Sequence, residues 1–112
     1  MPSSTPLGEF EQLVLLAILR LGEDAYGVTI AGELEQRAGR QVSRGALYTT
    51  LERLETKGLV RWKISAGTHE RAGLPRRCYT VSARGLVMLR ASRQVLQRMW
   101  SGLDEVLKEP AP

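Results

Sequence analysis

Side chains able to do chemistry are few and scattered in this chain of 112 residues. His69 is the only histidine and Cys78 the only cysteine, too few for the three or four N/S ligands of a typical zinc site. A Ser-His-Asp hydrolase would rest entirely on His69, which lies in a Gly-flanked stretch. No metal, cofactor or catalytic centre is therefore expected. The lone cysteine excludes an internal disulfide and makes a reducing cytoplasm the default compartment. As a redox switch Cys78 has only the neighbouring Arg77 to lower its pKa.

The ionic groups are more informative. The net charge is +4, but residues 1–42 carry −3, residues 43–98 carry +9 and residues 99–112 carry −2. A strongly basic block inside an otherwise acidic chain points to a polyanionic partner met by that block. Within it, Ser43, Arg44, Gly45, Tyr48, Thr49 and Arg53 recur at helical spacing, and Lys63, Arg71, Arg76 and Arg77 follow. Arg pairs bidentately with guanine, Thr offers a hydroxyl or a methyl to a base edge, and Ser and Tyr hydroxyls suit phosphate oxygens. Tyr26 suits either a phosphate contact or packing.

These residues need elements to hold them. Length and composition fit one small domain, 43% hydrophobic and 25% charged. The longest apolar run, Leu13–Leu19, spans seven residues, against roughly 20 for a bilayer span. The N-terminus lacks the basic start and apolar stretch of a signal peptide. Residues 1–6 form a Pro/Ser/Thr leader, expected to fray. A first helix from Leu7 places Phe10, Val14, Ala17, Ile18 and Leu21 on one face, while Leu13, Leu15, Leu16 and Leu19 leave it a second apolar face for a partner. Gly22-Glu23-Asp24 stops it. A second helix follows at about 25–38, with Val28, Ala31, Leu34 and Ala38 inward and Gly39 as its C-terminal cap.

Ser43 is a strong N-cap for a third helix, with Val42 and Leu47 placed as a hydrophobic staple. Leu47, Leu51 and Leu54 make its buried stripe, Gly45, Thr49, Arg53 and Thr56 its outer face, and Lys57-Gly58 its end. The short turn before it gives a helix-turn-helix. The period then changes to two: Val60, Trp62 and Ile64 alternate with Arg61, Lys63 and Ser65, and Arg77, Tyr79 and Val81 with Cys78 and Thr80. Two strands around a 66–75 loop make a basic hairpin, with Trp62 in the core. Ser82 caps a last helix, predicted to run about 83–107. Leu89, Leu96 and Leu103 interleave with Ser92, Met99 and Val106 as a heptad seam, widened by Val95, Trp100 and Leu107. A helix about 37 Å long exceeds its own head, so its seam (Leu89, Leu96, Met99, Trp100, Leu103, Val106) is expected to pair with a second copy. Folding back onto its own domain is the alternative. Gly102 weakens it by ~1 kcal/mol relative to Ala, marking where it frays or kinks.

The predicted fold is mainly α (α+β): a winged helix-turn-helix over 7–82, with a two-stranded wing and a long C-terminal dimerisation helix over 83–109. At this point the residues resemble the PadR-type transcriptional regulators. The resemblance rests on Leu7-Gly8-Glu9-Phe10-Glu11, Tyr26-Gly27, Gly45-Ala46-Leu47-Tyr48 with Leu51, Leu54-Glu55 and Gly58-Leu59-Val60, then Tyr79-Thr80-Val81-Ser82 with Gly85. It spans about 7–90 and implies a homodimeric repressor of an inverted-repeat operator on double-stranded DNA, usually released by a small molecule. Two departures stand out: Arg44 where the family often has Pro, and Ser82 for the usual Thr. A single C-terminal helix resembles the short branch of the family, so an effector is expected between subunits, where Trp100 offers an indole face to a small aromatic ligand or simply packs. The rival reading is a winged-helix module that docks an acidic protein and reads no DNA.

Overall fold

The computed structural model describes residues 6–65 and 75–108. Three helices come first: α1 (Glu9–Leu21), α2 (Gly27–Ala38) and α3 (Arg44–Thr56). Two strands follow, β1 (Val60–Ser65) and β2 (Arg76–Val81), and then α4 (Ala83–Trp100) and a short α5 (Asp104–Leu107). A single 3₁₀ turn, Gly22–Asp24, separates α1 from α2.

The caps explain the helix limits. Ser43 Oγ accepts the amide of Ala46 at 3.1 Å, and Ser82 Oγ accepts that of Gly85 at 3.0 Å, as expected of N-cap serines. Gly39 takes a left-handed φ of 66° at the end of α2. The next amide, Arg40 N, then donates back to Leu34 O at 3.1 Å, closing a Schellman turn. At α1 the cap comes from within: Glu11 Oε1 accepts the Gly8 amide at 3.0 Å.

The strands pair antiparallel, from Val60 opposite Val81 to Ser65 opposite Arg76. On the outer edge of β2, Ala25 O accepts the Tyr79 amide at 2.9 Å, so the segment between α1 and α2 runs beside the hairpin. The core gathers Val14, Leu15 and Ile18 of α1, Ile30 and Leu34 of α2, Leu47, Leu51 and Leu54 of α3, and Leu59, Val60, Tyr79 and Val81 at the hairpin. This is a winged helix-turn-helix.

Three expectations change. In α2 the buried residue is Ile30, at 0% exposure, while Val28 stands 66% exposed and Ala38 is also outside. Ile30 and Leu34, four apart, are its buried residues and Ala31 packs partly against the core, as expected, whereas Val28 lies about 200° from Ile30 around the helix. Ile64 is exposed although it alternates with Val60 and Trp62. It pairs with Arg77, past the part of the ladder that the core covers.

The third change is the largest: α4 ends at Trp100 and not near Leu107. Ser101 is extended (φ −56°, ψ 128°), Gly102 has φ 83°, and Leu103 N donates to Trp100 O in a turn. Residues 93–108 are all exposed, so little tertiary packing offsets the low helix propensity of the Ser-Gly pair, where the sequence already marked a fray or kink. Leu103 and Val106 therefore leave the line of Leu89, Leu96 and Met99, and the expected seam is not carried by one continuous helix. Among the described residues no helix is long and apolar enough to cross a membrane.

Candidate nucleic-acid interface

Helix α3 has two unlike faces. Leu47, Thr50, Leu51 and Leu54 are buried, while Arg44, Gly45, Tyr48, Thr49 and Arg53 are exposed, as their spacing predicted. Gly45 and Thr49 stand near the middle of the outer face at 100° per residue, with Arg44 and Tyr48 on one flank and Arg53 on the other. Glu52 is also exposed on this outer side, an acid that the sequence reading passed over although its helical position was legible. Ser43 Oγ, already an acceptor for Ala46 N, keeps its O–H free to donate to an anion.

Tyr48 is held by α2. A Cβ built on Gly27 would overlap the Tyr48 hydroxyl and lie 3.0 Å from its Cζ, so the absent side chain is what lets the phenol close on the first turn of α2. Just before it, Tyr26 carries the Arg76 guanidinium 3.6 Å from its ring centroid, and its hydroxyl is 3.3 Å from Ser65 Oγ. These contacts form an unbroken series from α3 through the start of α2 to the wing.

The wing's cations are divided between its two faces. Alternation along the paired strands puts Arg61, Lys63, Ser65 and Arg76 on one face, and Trp62 and Arg77 on the other. Arg77 lies 4.0 Å from the Trp62 ring centroid. Trp62 packs against the core only in part, so the expected core indole is also a seat for a cation. Arg71 and His69 fall outside the described residues. Cys78 is buried, and its thiol donates to Glu23 O at 3.4 Å.

One ion pair fixes α3 from behind. Glu11 is buried and accepts Lys57 Nζ at 2.8 Å, besides the Gly8 amide. Burial pushes its carboxyl up, but the hydrogen bonds from Lys57 and Gly8 and the charges of Lys57 and Arg53 outweigh it, leaving the pKa below the ordinary 4.5. Arg53, expected to read bases, thus also helps to hold Glu11 ionised. No local pattern signals this pair, whose members are 46 residues apart.

Away from this surface, α1 and α4 border an open groove of about 900 Å³, with Leu16, Leu19, Leu86, Leu89, Leu96 and Trp100 as its apolar lining and Arg90, Arg93 and Asp104 among its polar lining. Leu89 packs partly against the core, whereas Leu96, Met99 and Trp100 are 50%, 70% and 48% exposed. Of the second face expected on α1, Leu15 is fully buried and Leu13 packs against the core, because both fall on the side the domain covers; only Leu16 and Leu19 reach this groove, which joins them to the upper seam of α4.

Comparison with known proteins follows the same lines. A family model described as the transcriptional regulator PadR-like family matches residues 15–91. Comparison with curated proteins finds no match. Among solved structures, the chain is similar to a PadR-like transcriptional regulator from Bacillus cereus, with 23% identity over 90% of this chain and 93% of that one and a TM-score of 0.71. A PadR family transcriptional regulator from Eggerthella lenta shares 27% identity over 91% and 88%, with a TM-score of 0.65. Bacillus subtilis PadR, solved in complex with operator DNA, shares 20% identity over 74% of this chain and 47% of that one, with a TM-score of 0.60.

Proposed function

Because the chain belongs to the PadR-like family of transcriptional regulators, we propose that it is a cytoplasmic homodimer that binds an inverted-repeat operator on double-stranded DNA and represses transcription. The observation that carries this reading is the series Tyr48, Gly27, Tyr26, Arg76, which makes the outer side of α3 and the wing parts of one surface. A helix of this width fits the major groove. There Arg44 and Arg53 would address guanine, Thr49 a thymine methyl or a base edge, and Ser43 and Tyr48 the phosphates. Lys63, Arg71 and Arg77 would follow the flanking backbone. The Bacillus subtilis relative, which shares the fold, is solved in complex with operator DNA, which is in keeping with DNA as the partner of this surface.

Pairing of two copies through the groove between α1 and α4 would bury Leu16, Leu19, Leu89, Leu96, Met99 and Trp100, with Leu103 and Val106 joining from the segment after α4. A closed two-fold dimer presents two α3 helices about 34 Å apart on successive major grooves. A small aromatic effector would stack on Trp100 within that interface and shift the spacing. Selection of bound duplexes from a random pool, followed by gel shift, tests the core of this reading. A palindromic consensus is the expected result. Recovery of unrelated sequences bound with equal affinity would overturn it.

A further inference from the structure

Tyr26 stands where three segments meet. Its ring supports Arg76 at 3.6 Å, its hydroxyl reaches Ser65 Oγ at 3.3 Å, and its amide donates to Thr29 Oγ1 at 2.9 Å as α2 begins. Ser65 and Arg76 are the pair that ends the ladder, so one phenol grips both strands of the wing. On either side in sequence, Ala25 O takes the Tyr79 amide at 2.9 Å and Gly27 receives Tyr48 of α3. Tyr26 is thus the joint between the wing and the helix pair.

Arg76 belongs to that joint. Its Nε is buried, with no hydrogen-bond partner among the described residues, and the guanidinium faces the negative side of a ring. Arg77, by contrast, is exposed over Trp62 on the other face. Resting on the DNA-binding reading above, we infer that Arg76 is a positioning residue and not the phosphate contact its sequence position suggests. Stacked on Tyr26, it sets the angle of the wing to α3, and its effect on DNA passes through the placement of the wing's exposed cations.

The test is the affinity for the selected operator over a range of salt, measured below the melting transition. It compares the parent chain with Arg76→Gln, Tyr26→Leu, the double variant and Tyr26→Phe. Each of Arg76→Gln and Tyr26→Leu is expected to weaken binding by about threefold to tenfold. The double variant should be no weaker than the weaker single, because the pair acts as one unit. Tyr26→Phe keeps the ring and should bind within about twofold of the parent. The slope of log K against log salt should stay at the parent's value for all of them. An arginine bound to phosphate would instead make the Arg76→Gln slope shallower by about 0.9 and add its loss to that of Tyr26→Leu, which overturns the inference. Should Tyr26→Leu fail to fold, the Arg76→Gln slope decides alone. A parent chain that ignores sequence sinks the DNA-binding reading itself, whereas a parent that binds its operator no better than Arg76→Gln does sinks only the positioning role.

Discussion

Replacing Glu11 by Gln probes how α3 is held. Glutamine keeps the shape and an oxygen for the Gly8 amide, so the cap on α1 survives, but the charge facing Lys57 Nζ is gone. Hydrogen bonds to charged groups contribute about 1.5–3 kcal/mol. The Glu11 side chain is 9% exposed but that of Lys57 is 31% exposed, so the lysine regains part of its hydration and the lower end applies: a loss of about 1.5–2 kcal/mol at neutral pH. Lys57→Ala should cost more, because it strands a buried carboxylate. The pH dependence has a definite sign. The folded-state pKa of Glu11 lies below the ordinary 4.5, so the unfolded chain binds the proton first as pH falls. The pair's stabilisation is thus fully present above that ordinary value and disappears as pH drops through the folded-state pKa. Urea unfolding at fixed protein concentration, which the proposed pairing of two copies requires, should show the gap between parent and Glu11→Gln closing between neutral and strongly acid pH. A neutral-pH gap under about 0.5 kcal/mol, or one that ignores pH, would refute the argument.

Thr49→Ala and Arg53→Ala should lower the ratio of operator to random-duplex affinity, whereas Arg77→Ala should weaken both alike and flatten the salt slope by about 0.9; gel shifts at two salt concentrations separate them. Leu96→Asp sets a charge in the apolar groove and should give monomers by light scattering, with operator binding lost; a stable dimer would redirect attention to the fold-back of α4. Gly27→Ala pushes on Tyr48, whose phenol can swing aside, so the stability loss should stay near 1 kcal/mol by thermal melting. Operator affinity in Gly27→Ala should still fall, and Tyr48→Phe in that background should recover part of the stability.

Much of the architecture could be read from short stretches of chain. Ser43 and Ser82 announced helix starts, Gly39 an end, and the two-residue period of 60–65 and 77–81 a hairpin, because caps and periodicities depend on neighbours within a few residues. The outer face of α3 was legible for the same reason. The phase of α2 was not, since Val28 and Ile30 are both apolar and only the docking of the helix chooses between them. The weak point at Gly102 was legible, but not that it stops the helix and takes Leu103 and Val106 out of the heptad line, because that depends on how little of residues 93–108 the rest of the fold covers.

What tertiary structure alone decided is which charges are held. Arg76 meets Tyr26 and Arg77 meets Trp62 on opposite faces of the wing, and Lys57 reaches Glu11 across 46 residues. Sequence specified a basic surface through residue type and spacing, which act locally. It could not assign partners to its cations, because each partner arrives from a distant segment only when the helices and the wing have closed on a common core.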